Sequence, residues 1–401
     1  MEVTRLLRKE TGGIGRKRLT SGLARLRDVH ATLVAGAEAG RWPHLRLLDA
    51  DAREDARRVA AALRAAAPEL VVVGQPGAVA ALRAAVEALG TTSPRWMTSP
   101  DAAQLAALDR PDVAWLVLEG PPWADRVAEW AVESGRAVAV AGPGDHPAPP
   151  SGWWISDPVA GDGRFAPLGA AAAVVASWAG VDIDVLHAGA QEMSATCARS
   201  ALFENPAYTY ALATVFADRD LGAGVPAHLV GAGRLDAFGA WLTRVWAAVL
   251  CAAVPGDGTV RHTGAAGIHG IVGDEELCEA LLLGPRDKLV TVWDPTELDG
   301  SAVSAEAVNQ VRALVDLLER ENVPYLRVRL PGFNAYSLGA SFVLASHAAV
   351  TAALFLDLDP LGLDAVAAWY GALDRIRALD AALDAAVTDG VEAAPGNTVE
   401  R

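Results

Sequence analysis

From residue 1 to about residue 65 the apolar positions fall at helical spacing, with arginine-rich polar positions between them, as in residues 19–33 and 52–66. Such stripes predict amphipathic helices. The pattern then changes. Leu70-Val71-Val72-Val73 is a short β-branched run, stopped by Gly74-Gln75-Pro76-Gly77 and followed by a helical pattern over 78–89. A second run, 113–118, ends in Glu119-Gly120-Pro121-Pro122, and a third spans 137–141 after a helix-like stretch, 124–133. Strand, glycine turn and helix in alternation predict parallel strands with helical crossovers. The texture returns downstream. A strand at 227–230 ends in Gly231-Ala232-Gly233, and a helix over 235–250 follows. A strand at 288–293, a helix over 305–319 and a strand at 325–330 complete the second unit. Residues 147–163, rich in Pro, Gly and Asp, read as a linker or long loop. The fold class is therefore α/β, with two parallel-sheet units in tandem.

Two apolar stretches resemble membrane spans. Residues 165–181 are dominated by Ala and Gly. Residues 335–356 carry no Asp, Glu, Lys or Arg and are long enough to cross a bilayer. They also hold Ser337, Ser341, Ser346 and His347, without a flanking basic cluster. A buried core helix is the expectation. No apolar segment followed by a cleavage site marks the N-terminus, so a cytoplasmic protein with no membrane partner is expected.

Composition narrows the function classes. The 401 residues are 52% hydrophobic and 21% charged, a globular balance. The net charge of -15 argues against a nucleic-acid partner, which needs a basic surface. The one basic cluster, residues 5–18, reads as a solvated N-terminus. Cys197, Cys251 and Cys278 have neither metal-site spacing nor disulfide density, and read as small buried hydrophobes. No metal and no cofactor is expected. Lysine is confined to Lys9, Lys17 and Lys288.

Several segments carry a resemblance. In order they are Ser156-Asp157-Pro158, Gly163-Arg164-Phe165, Pro167-Leu168-Gly169, Ala179-Gly180-Val181-Asp182-Ile183, His187-Ala188-Gly189-Ala190 and Glu204-Asn205-Pro206-Ala207-Tyr208. Phe238-Gly239-Ala240-Trp241-Leu242, Gly284-Pro285-Arg286-Asp287-Lys288, Asn334-Ala335-Tyr336-Ser337-Leu338-Gly339 and Leu358-Asp359-Pro360-Leu361 follow. Their order and spacing, over about 155–370, resemble the phosphoglucose isomerase family. The resemblance implies two sugar isomerase (SIS) domains, each a three-layer αβα sandwich with a parallel sheet, plus N- and C-terminal helices. The expected division is 1–64 N-terminal helical segment, 65–190 first SIS-like domain, 191–355 second SIS-like domain and 356–401 C-terminal helical segment.

The family's chemistry fits this chain poorly. Aldose–ketose isomerisation needs a carboxylate to shuttle a proton between adjacent carbons. The resemblance places it within Ala248-Val249-Leu250-Cys251-Ala252, and no carboxylate lies between Asp236 and Asp257. The family's ring-opening lysine corresponds to Tyr370, beside Trp369, and no lysine follows Lys288. The family histidine corresponds to His269 by one count and to Glu275 by another, with His262 nearby. The family's phosphate cradle falls at Glu119-Gly120-Pro121-Pro122, where a carboxylate repels a dianion and prolines donate no N–H. Gly74, Gly77 and Gly120 are what remains of a substrate-binding cradle, or are generic tight turns.

The resemblance thus implies a catalytically degenerate family member that binds a sugar phosphate, a related small ligand or a partner enzyme of central carbon metabolism, as a homodimer. The twelve tryptophans suit an interface role. The alternative is an active isomerase of glucose 6-phosphate and fructose 6-phosphate. Its acid–base pair would be relocated to His269 and Glu275, with Asp274, Glu276 and Glu279 beside them.

Overall fold

The computed structural model describes residues 2–5, 14–99, 101–120, 122–150, 152–159, 163–231, 233–250, 267–295, 305–330, 332, 334–362, 371–373 and 375–376. Strand β1 (Glu2–Arg5) precedes helices α1 (Arg16–Ser21), α2 (Leu23–Glu38) and α3 (Ala50–Ala66). The first α/β unit follows as β2 (Glu69–Val73), α4 (Pro76–Leu89), β3 (Arg95–Met97), α5 (Ala102–Leu108), β4 (Val113–Leu118), α6 (Pro122–Glu133), β5 (Val138–Gly142) and β6 (Gly152–Ser156). Helices α7 (Ala170–Trp178), α8 (Ile183–Cys197) and α9 (Pro206–Leu221) lead to the second unit. That unit runs β7 (Val225–Val230), α10 (Asp236–Leu250), β8 (Ile268–Ile271), α11 (Glu275–Leu282), β9 (Lys288–Pro295), α12 (Ala305–Arg320), β10 (Tyr325–Leu330) and α13 (Ala335–Phe355).

The strands form two sheets, β3-β2-β4-β5-β6 and β1-β10-β9-β7-β8. All pairings are parallel except β1 with β10. Alternation along the strands divides the core. Leu70, Val72, Leu116 and Leu118 face inward, whereas Val71, Val73, Trp115 and Val117 face α5 and α6. In the second sheet Val230 and Trp293 face inward, and Leu229 and Val292 face α11 and α12. Because successive strand side chains point to opposite faces, both sheets need helices on both sides. The fold is α/β with two SIS-type αβα sandwiches, and helices α3, α4, α7, α8, α9, α10 and α13 fill the layer between the sheets.

Three expectations change. Residues 147–163 are not simply a linker, since Gly152–Ser156 forms edge strand β6 beside β5. Residues 1–65 are not wholly helical, since Glu2–Arg5 adds an antiparallel edge to the second sheet. Within the basic cluster, Arg18 is not simply solvated but bonds to Asp220 at 2.5 Å. The C-terminal helical segment lies largely outside the described residues.

Helix α13 is the apolar stretch that is long enough to span a bilayer, and 94% of its most apolar window is buried inside the molecule. It is buried all round, as a helix without charged residues must be in a large core. Its closest neighbour is α8. A Cβ on Gly339 would stand 1.8 Å from the Leu186 carbonyl oxygen, and one on Gly189 would stand 1.9 Å from that of Tyr336. Gly339→Ala is therefore expected to cost about 2 kcal/mol through overpacking, read as a lower denaturant midpoint. An unchanged midpoint would show that the crossing yields.

Candidate functional site

The glycine turns lie at the C-terminal ends of neighbouring strands β2 and β4. Gly74 donates its N–H to the Met97 carbonyl at 3.1 Å. Gln75 is the N-cap of α4 and Pro76 begins it, with a φ suited to a first helical turn. Gly120 has φ +150°, and Gln75 Nε2 lies 3.1 Å from where a Cβ would project. The Glu119 carboxylate packs against Gly142 at the end of β5.

Gly77, in the first turn of α4, meets the chain at Gly163. A Cβ on Gly163 would fall 2.1 Å from the Gly77 carbonyl carbon. From the other side, Trp241 Nε1 on α10 donates to the Gly163 carbonyl at 3.2 Å. The Gly163 backbone is therefore held between α4 and α10, and packing alone explains glycine at 163, whereas a Cβ on Gly77 would meet only an ordinary contact at 3.9 Å.

Two residues here entered the sequence reading only within the resemblance segments, with no role of their own. Arg164 is buried and donates to the carbonyls of Pro360 at 2.9 Å and Gly362 at 3.3 Å. Its signal was its isolation, as the single charged residue between Asp162 and Asp182. Buried Asp157 accepts from Val159 N at 3.1 Å and Ala171 N at 2.8 Å, which caps α7, and burial pushes its carboxyl up.

His269 lies on the edge strand β8, in register with His228 on β7. Its Nε2 is 3.7 Å from Asp236 Oδ1, at the start of α10, and its Nδ1 is 3.5 Å from Thr243 Oγ1. A Cβ on Gly239 of α10 would lie in ordinary van der Waals contact with the His269 side chain, at 3.4 Å. The His269 and Asp236 side chains are 35% and 53% exposed, so the pair opens to solvent. His228 beside them is fully buried. Burial first, and the charge of His269 second, push its imidazole down to about 3. It therefore stays neutral, 3.4 Å from Tyr210 Oη.

Glu275 is elsewhere: it is the exposed first residue of α11, which Asp274 caps. The carboxylate beside His269 is thus Asp236, which the sequence reading passed over in favour of residues 274–279. No contact joins His269 or Glu275 to Gly74, Gly77 or Gly120 among the described residues. At the end of α10, Ala248 is exposed while Val249 and Leu250 are buried. Cys251, Ala252, His262, Trp369 and Tyr370 lie outside the described residues. Burial pushes the Cys197 thiol up to about 12, which makes it an inert core residue. Among the described residues, no group of three or more His, Cys, Asp or Glu side chains is placed to hold a metal ion.

Comparison with known proteins fits this arrangement into a wider group. The chain is 33% identical over 236 residues to a probable glucose-6-phosphate isomerase of Halobacterium salinarum, covering 55% of this chain and 52% of that protein. It is 30% identical over 263 residues to a probable glucose-6-phosphate isomerase of Haloarcula marismortui, covering 62% and 57%. Over these spans the chain is similar to glucose-6-phosphate isomerases. The match spans about half the length of these curated relatives. No family model matches the chain. The fold is shared with a hypothetical protein of Thermus thermophilus, at TM-score 0.74 and 16% identity over 90% of this chain and 96% of the other. It is also shared with a glucose-6-phosphate isomerase of Chlamydia trachomatis, at TM-score 0.72 and 13% identity over 82% and 74%. Helix α10 of this chain offers no carboxylate beyond Asp236.

Proposed function

We propose that this chain is a catalytically degenerate member of the glucose-6-phosphate isomerase family, which acts in the cytoplasm by binding a sugar phosphate, a related small ligand or a partner enzyme, as a homodimer. The observation that carries this reading is the last turn of α10. The exposed Ala248 and buried Val249 and Leu250 occupy the segment where the resemblance expects the proton-shuttling carboxylate. Two further features support it: α4 is closed by Gly163, and Glu119 sits at the β4 turn. Binding without turnover is the discriminating result. Ligand-observed NMR with glucose 6-phosphate should report saturable binding while a coupled assay reports no fructose 6-phosphate.

A second reading has its own observation. His269 and Asp236, 3.7 Å apart and open to solvent, form an acid–base pair of the kind that proton transfer requires. An active isomerase with relocated groups would use this pair, with Asp236 rather than Glu275 as its carboxylate. Loss of measurable turnover in both His269→Ala and Asp236→Asn would establish that reading.

A further inference from the structure

A cavity of about 460 Å³ lies between α3, α7 and the edge strand β6, and its lining includes none of the turn glycines, His269 or Asp236. Its lining has two characters. Val59 of α3 and Val174 of α7 are among its apolar residues, Trp153 of β6 shares the inner face of the sheet with Ala139, and Trp154 also lines it. At the rim stand Asp55, Arg58 and His146. An apolar pocket of this size with a few convergent polar groups is the usual form of a small-molecule site.

The aromatic surface is held in place. Trp154 Nε1 donates to the Gly144 carbonyl at 3.0 Å, which satisfies the indole N–H. The His146 ring meets Trp154 edge to face, with centroids 4.7 Å apart. A ring fixed by a hydrogen bond on one edge and a second ring beside it loses little freedom when a ligand stacks on it. Also among the lining residues, Arg58 Nη2 is 2.8 Å from Asp55 Oδ1.

These groups select a ligand chemistry. Asp55 only accepts hydrogen bonds and Arg58 only donates them, so side by side they complement neighbouring hydroxyls, which do both. The indoles suit a flat apolar face. The paired charges cancel, on a chain of net charge -15, which gives an anion no advantage. We propose that this cavity is a binding site for a neutral pyranose saccharide, with its C–H face on the indoles and its hydroxyls on Asp55 and Arg58.

The proposal is independent of whether the chain isomerises anything. The test uses the full chain with D-glucose and maltose as probes, followed by ligand-observed NMR, and adenosine as the contrasting planar ligand. The expected result is saturable binding of at least one sugar in the millimolar range, weakened fivefold or more by Trp154→Ala and by Arg58→Ala. Trp154→Phe should retain most of the affinity. Both rim substitutions should leave the thermal midpoint near that of the parent, because neither side chain is fully buried. No saturable sugar binding would overturn the proposal. So would sugar binding that neither substitution weakens, or adenosine binding tighter than either sugar.

Discussion

Purified protein is expected to convert glucose 6-phosphate to fructose 6-phosphate at least about a thousandfold more slowly than a working glucose-6-phosphate isomerase. Loss of one positioned acid–base group alone costs on the order of a hundred to ten thousandfold. Here the segment expected to supply the carboxylate offers Ala248, Val249 and Leu250, and no lysine follows Lys288. The two losses need not multiply, because groups that act as a unit are not additive. Glu119 at the β4 turn should in addition raise the concentration of phosphorylated substrate needed. Ala248→Glu should fold normally, since the site is exposed, but it should not restore the rate while Glu119 still repels a dianion. Ordinary turnover by protein free of host isomerase would overturn this expectation and bring forward the His269–Asp236 pair.

The second large effect concerns pH. His44 and His347 are buried and face each other, with His44 Nε2 3.2 Å from His347 Nδ1. Burial, aided by His30, pushes His347 down to about 4. Burial and then His347 lower His44, and His228 lies at about 3. In the unfolded chain these groups take up a proton near pH 6.5, whereas in the folded protein they resist it. Their contribution to stability is therefore fully present above pH 6.5 and is lost as the pH falls toward 4. Each unit between the two values corresponds to about 1.4 kcal/mol. Asp157, whose carboxyl is pushed up by burial, offsets part of the loss. Over the two units from pH 6.5 to pH 4.5, His347 alone accounts for a loss of about 3 kcal/mol, to be read from denaturant unfolding. His347→Leu should flatten that dependence whatever it does to stability at pH 7. A denaturant midpoint that does not move between the two pH values would contradict the assignment of neutral buried histidines.

The missed strands share a cause. β3, β6 and β8 are three to five residues long and, with β1, sit at sheet edges. A short edge segment becomes a strand because a neighbour offers it a hydrogen-bonding register, and no periodicity along its own sequence records that neighbour. Gly152–Ser156 looked like loop because prolines surround it, yet β5 supplies five paired positions. Arg164 and Asp157 were likewise readable as unusual charges but not as donors and acceptors, since their partners are the carbonyls of 360–362 and the N–H groups of α7.

By itself the sequence determined the alternation of strand and helix, the buried character of α13 and the resemblance that the relatives bear out. Those properties follow from local periodicity, from the absence of charge over a long stretch and from residues in a fixed order. Tertiary structure alone decided which groups meet. It set Asp236 rather than Glu275 beside His269, clamped Gly163 between α4 and α10, and joined His44 to His347 across 303 residues. Each of these contacts depends on how helices cross in the shared central layer, a geometry fixed by packing of side chains from distant segments.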